Sequence, residues 1–89
     1  MMHFFLGYDN FGIMFSDIFE KDGEKQIRIY ADDKNNGENE LEFYLPSYKQ
    51  TINRGFSAEV IDTIIYHVKT NEKLLWRLAN KNKEKLCLK

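Results

Sequence analysis

The dipeptide Asp22-Gly23 constrains this chain more than any other pair of its residues. A two-residue turn between antiparallel strands needs two positive-φ positions, and Asp-Gly is among the few pairs that accept them. Both flanks are strand-forming. Phe11 to Glu20 is rich in Phe, Ile and Met, and Lys25 to Asp32 alternates apolar and polar residues. A hairpin here commits the first half of the chain to antiparallel sheet and sets its register. Lys21 faces Glu24 and, counting outward, Ile18 faces Ile27, Asp17 faces Arg28 and Phe15 faces Tyr30. Side chains alternate between faces. One face then carries Met14, Ile18, Ile27, Ile29 and Ala31, and the other carries Phe15, Asp17, Phe19, Gln26, Arg28 and Tyr30.

A further strand, Glu40 to Leu45, ends at Pro46, which has no N–H to give a ladder. Its pairing depends on the loop before it. A two-residue Asn36-Gly37 turn sets Leu41, Phe43 and Leu45 beside Arg28 and Tyr30. A three-residue Asn35-Asn36-Gly37 loop, with glycine left-handed, moves the pairing by one residue and sets them beside Ile27 and Ile29. The second register gathers the aliphatics on one side and is the one expected. It leaves Arg28 between Asp17 and Tyr44, and Tyr30 between Phe15 and Glu42. His3 to Leu6 reads as a short edge strand, Gly7 to Asn10 as a turn, and Pro46 to Arg54 as a loop.

The rest of the chain is helical. Ser57 is a suitable N-cap, Phe56 and Ile61 are placed to form a hydrophobic staple, and Glu59 suits the positive end of the helix dipole. Val60, Ile61, Ile64, Ile65 and Val68 form an apolar stripe at helical spacing, which resumes at Leu75, Leu78 and Ala79. Thr70-Asn71 between them predicts a kink or a break. The expected architecture is a single α+β domain over residues 1–80, a three- or four-stranded antiparallel meander packed on a C-terminal helix kinked near Asn71. A basic, frayed tail follows over 81–89.

Eighty-nine residues suffice for one domain, and 43% hydrophobic content supports a core. The net charge of −1 gives no global attraction to nucleic acid. The charge is polarised, however. Met1 to Val68 carries six basic and twelve acidic residues, and Lys69 to Lys89 carries seven basic and two acidic. The lone Cys87 cannot build a disulfide framework, and His3 and His67 stand in no ligand-spaced cluster. No apolar run has the length of a membrane span, and the start lacks a signal-peptide pattern. These features predict a cytoplasmic protein without metal, cofactor or catalytic constellation.

The aromatic side of the sheet is the informative surface. Phe15, Asp17, Phe19, Arg28, Tyr30, Glu42 and Tyr44 share it in this register, and one helical stripe serves only the aliphatic side. Aromatics with arginine are enriched where proteins bind each other. The expected partner is another protein, or a second copy of the chain on the same face. Nucleic acid ranks lower, because basic residues concentrate in the last helix instead.

The order of these features resembles a family of small bacterial proteins, the domain of unknown function 4160. The likeness covers about Phe11 to Asn80. It rests on the opening Phe11-Gly12-Ile13, the strand–loop–strand of Gln26 to Ala31, Asn36-Gly37 and Glu40 to Leu45, and the Gly55-Phe56 entry to a long helix. In that family the first of these strands usually carries a proline and then two histidines one residue apart. Arg28 and Tyr30 stand there in this chain, so chemistry based on the histidines is lost or altered. The family's helical tryptophan also falls about one turn later than Trp76. The resemblance implies a bacterial or phage setting, a small protein partner and a toxin–antitoxin-like context. The reading it favours is a non-enzymatic binding module, either a toxin–antitoxin component or an inhibitor of a host or defence protein. The alternatives are a small nuclease-like toxin using Arg28, Tyr30 and a carboxylate, and a nucleic-acid-binding regulator using the basic helix.

Overall fold

The computed structural model of the protein describes residues 2–7, 11–33 and 37–87, with side chains up to residue 81. Six strands among these residues form one antiparallel sheet, and two helices follow. The strands are β1 (Met2–Gly7), β2 (Phe11–Ser16), β3 (Phe19–Lys21), β4 (Glu24–Asp33), β5 (Glu40–Leu45) and β6 (Lys49–Arg54). The helices are α1 (Ala58–Thr70) and α2 (Glu72–Cys87). The strand order is β1-β2-β4-β5-β6, with β3 pairing the turn end of β4. The α+β class and the meander match expectation, but there are more strands and one more helix. The stretch read as a loop up to Arg54 contains a full edge strand. The tail expected over 81–89 falls almost wholly beyond the described side chains.

Asp22 and Gly23 take φ of 54° and 79°, as a turn with two positive-φ positions requires. Lys21 lies opposite Glu24 and Phe19 opposite Gln26. Farther along, Phe15 lies opposite Ile29, Met14 opposite Tyr30 and Ile13 opposite Ala31. The register thus slips by one residue between β3 and β2, as a β-bulge makes it slip. A one-residue shift exchanges the faces. Phe15, expected outside beside Tyr30, turns inward and is 3% exposed. Met14, expected inside, turns outward.

The pairing of β4 with β5 follows the three-residue-loop register: Ile27 with Leu45, Arg28 with Tyr44, Ile29 with Phe43, Tyr30 with Glu42 and Ala31 with Leu41. The loop's Asn35 and Asn36 lie outside the described residues. Gly37 is not in the left-handed region expected of it. Ile13, Ile27, Ile29, Ala31, Leu41, Phe43 and Leu45 are fully buried on the inner face, together with Ile64, Val68, Leu75 and Ala79 of the helices.

Local chemistry places that helical cover. Gly55 opens the approach with φ 82°, and a Cβ there would lie 1.9 Å from the Asn39 side chain. Ser57 caps α1, its Oγ accepting from the N–H of Val60 at 3.3 Å. At the break, the Asn71 amide donates to the His67 carbonyl at 2.8 Å, and the Asn71 carbonyl accepts from Leu75 N–H at 3.0 Å. Asn71 thereby closes one helix and starts the next. Tyr48, in the β5–β6 turn with φ 61°, stacks on Phe43 at 5.7 Å and donates to Glu72 at 2.5 Å. It ties the turn to α2. Burial first, and then the hydrogen bond to the Glu72 carboxylate, pushes the Tyr48 hydroxyl well above the usual tyrosine range.

Candidate functional site

Ile64, Val68, Leu75 and Ala79 put both helices on the inner face, and among the described residues the outer face of the sheet is left to its own side chains. The chain on either flank extends this face without covering it. β1 lies beside β2 at one edge and β6 beside β5 at the other. One row runs across β1, β2, β4, β5 and β6: Phe4, Met14, Tyr30, Glu42 and Ile52. A neighbouring row holds Asp32, Glu40 and Arg54.

Glu42 is the centre of the arrangement. It is 6% exposed, the one buried charged residue among those described. Arg28 donates to it through Nε at 2.5 Å and pairs with it through a terminal nitrogen as well. Thr51 Oγ1 donates at 2.7 Å and Tyr44 at 3.2 Å. Burial pulls the Glu42 carboxyl upward, but the hydrogen bonds from Thr51 and Arg28, the Arg28 charge and the Tyr44 hydroxyl outweigh it and hold the group below the usual carboxylate range. A buried carboxylate so satisfied is stable only while its donors stay in place.

The second row repeats the pattern nearer to solvent. Tyr30 donates to Glu40 at 2.9 Å, and Arg54 forms an ion pair with the same carboxyl group. The Tyr30 bond first, then the Arg54 bond, lowers Glu40. Tyr30 is pushed up to about 12 by burial, by that hydrogen bond and by the charges of Glu40 and Asp32, against the opposing charge of Arg28. Tyr44 is raised too, by burial and then by the adjacent Glu42 charge.

The aromatic rings pack around this network. Phe19 meets Tyr44 edge-on at 5.9 Å, and the Arg28 guanidinium lies 5.8 Å from the Tyr30 ring centre. Arg28 remains 41% exposed. It is fixed from below by Glu42 and open from above, the arrangement of a side chain whose rotamers are restricted before anything binds.

Phe19, Arg28, Tyr30, Glu42 and Tyr44 therefore come together where the sequence placed them. Two other residues do not. Phe15 is in the core, turned there by the bulge. Asp17 lies in the step between β2 and β3, where its Oδ1 sits 2.6 Å from His3 Nε2 at the β1 side of the sheet. Glu42, rather than the expected Asp17, steadies Arg28. Met14, Glu40, Thr51 and Arg54 belong to the face and were not expected there. The last two were hidden by reading 46–54 as a loop. The β-branched pair Thr51-Ile52, bounded by Pro46-Ser47 and Gly55, was the available strand signal.

No group of three or more His, Cys, Asp or Glu side chains that could hold a metal occurs among the described residues. Among the described residues, no helix is long and apolar enough to cross a membrane. Set against protein families, curated proteins and solved structures, the chain matches none.

Proposed function

We propose that the protein is a non-enzymatic binding module whose outer sheet face docks another protein. The observation that carries this reading is the preset geometry of Arg28. Its guanidinium is held by the buried Glu42 beside the Tyr30 ring, with Phe19 and Tyr44 packed alongside, on a face without helical cover. Arginine and tyrosine are the residue types that dominate interface energetics, and restricting them beforehand reduces the entropy lost on association. The same geometry weighs against a hydrolytic role for this pair. The Tyr30 hydroxyl is committed to Glu40, and the Arg28 charge is already neutralised by Glu42. The setting we propose is the bacterial or phage conflict system implied by the resemblance to the domain of unknown function 4160. There the module acts as a toxin–antitoxin component or blocks a host or defence protein by covering its surface.

The test is site-specific photocrosslinking in bacterial extract from Phe19 on the outer face and from Tyr66, exposed on α1. It is followed by affinity measurements with the purified partner. Crosslinks should form from position 19 and not from position 66. Arg28→Ala combined with Tyr30→Ala should weaken binding by about 2 kcal/mol or more, roughly thirtyfold. A folded double variant that binds at full strength refutes the reading.

A further inference from the structure

The outer face ends in a cleft of about 240 Å³ between the β3–β4 turn and the β5–β6 turn. Lys21 closes one side and Lys49 the other, with Gln26, Tyr44, Ser47 and Thr51 between them. Strand pairing creates the arrangement. Lys21 is the last residue of β3 before the Asp22-Gly23 turn, and Lys49, the first of β6, lies opposite Tyr44.

The charges on this face are unequally satisfied. Glu42 is neutralised by Arg28, and Glu40 by Arg54. The hydroxyls of Tyr44 and Thr51 are already donating to Glu42. Lys21 and Lys49, by contrast, have no ion pair among the described residues. Asp22 is the one acidic residue lining the cleft, which leaves one positive charge in excess. A concave, polar site with two unpaired ammonium groups attracts an anion, and the nearby cations Arg28 and Arg54 already have their carboxylates.

We propose that this cleft receives an acidic side chain of the docked protein, its carboxylate seated between Lys21 and Lys49. This rests on the reading of the outer face as a protein-binding surface and adds the chemistry of one contact. The aromatic patch around Arg28 supplies the apolar part of the interface. The lysine cleft, at its rim, supplies orientation and a salt-dependent encounter rate.

The experiment uses the intact chain, isotope-labelled, with a capped tetraglutamate peptide as the probe. A capped tetraglutamine peptide at matched ionic strength is the control. Saturable amide shifts should appear at Gln26, Ser47, Lys49 and Thr51 with tetraglutamate only, and shrink as salt rises. Lys21→Ala with Lys49→Ala should weaken the peptide about five- to tenfold. Both lysines are exposed, so an unchanged circular dichroism spectrum is expected, and Lys21→Gln with Lys49→Gln repeats the test at near-constant volume. Equal shifts with tetraglutamine, shifts that spread over Lys73 and Lys81 of α2, or an unaffected double variant would each overturn the proposal. Tighter binding of inorganic phosphate than of the peptide would also overturn it, because the site would then serve a free oxyanion. None of these results touches the crosslinking from Phe19 or the affinity test at Arg28 and Tyr30, so the two readings fail separately.

Discussion

The two faces of β4 and β5 are made of alternate residues of the same strands, yet they are held together by different physics. On the inner face, Ile27, Ile29, Ala31, Leu41, Phe43 and Leu45 are fully buried and packed on helical side chains. Their contribution comes from apolar area removed from water. On the outer face, Arg28 and Tyr44 are tied by charge-assisted hydrogen bonds to the buried carboxylate of Glu42, and Tyr30 is tied to Glu40 beside it. Truncation on the inner face should cost stability at every pH, whereas the outer face should tolerate loss of a ring and lose stability in both acid and alkali. Stability and recognition can therefore be altered separately in one sheet, at positions one residue apart.

The most severe way to break this comparison is the adjacent pair Met14 and Phe15. Phe15→Ala should cost about 3–5 kcal/mol in urea unfolding, because it opens a cavity in the core. Met14→Ala, on the half-buried outer side, should cost about 1 kcal/mol. The reverse order would place the bulge elsewhere and exchange the faces of β2.

A medium effect is expected at Glu42. Its folded-state pKa lies below the ordinary value of 4.5. The stability it confers is therefore complete above the unfolded pKa and is lost as pH falls through the lower folded value. Glu42→Gln should cost about 2 kcal/mol at neutral pH, since Arg28 loses its partner and donors face an amide. The variant should also show a shallower loss of stability below the ordinary glutamate pKa. An unchanged acid limb would remove Glu42 from the centre of the network.

The smallest effect belongs to Tyr30. Its hydroxyl is raised from 10.0 to about 12, so the stability from its neutral form is complete below the unfolded pKa and fades as pH climbs through the folded value. Tyr30→Phe should cost about 0.5–1 kcal/mol near neutrality. In a tyrosinate absorbance titration it should remove one late ionisation. Loss of an early ionisation instead would mean that the Glu40 hydrogen bond is absent in solution.

The sequence was legible where a single local signal had no competitor. Asp22-Gly23 admits few backbone conformations, Ser57 precedes an unbroken helical stripe, and Asn71 interrupts that stripe. The β4–β5 register was legible because only one choice gathered Leu41, Phe43 and Leu45 with the isoleucines of β4. The β2–β3 bulge was not, and the reason lies in Phe11 to Phe19. Apolar residues occupy both parities of that run, with Ile13 and Phe15 on one and Met14 and Ile18 on the other, so alternation could not reveal a one-residue slip. β6 was missed because Lys49, Gln50, Asn53 and Arg54 are exposed polar residues at a sheet edge, where no buried face imposes a pattern. The part of the candidate site that was misjudged follows from these two misses: Phe15 was turned outward on paper, and the Thr51 and Arg54 donors were left in a loop.

The meander has a consequence for how the chain acquires its structure in time. Strands adjacent in the sheet are close in sequence, with only β3 off the linear path. Each pairing closes a short segment of chain, which keeps the entropic cost of each closure low and favours rapid folding. Hairpins of this kind form in about 1–10 µs. On a ribosome, β6 would emerge before α1 begins at Ala58, so the sheet can assemble while its inner face still has no cover. Ile29, Leu41 and Phe43 then wait for the helices, and the interval before α2 follows is the one in which the nascent chain exposes most of its core to other chains.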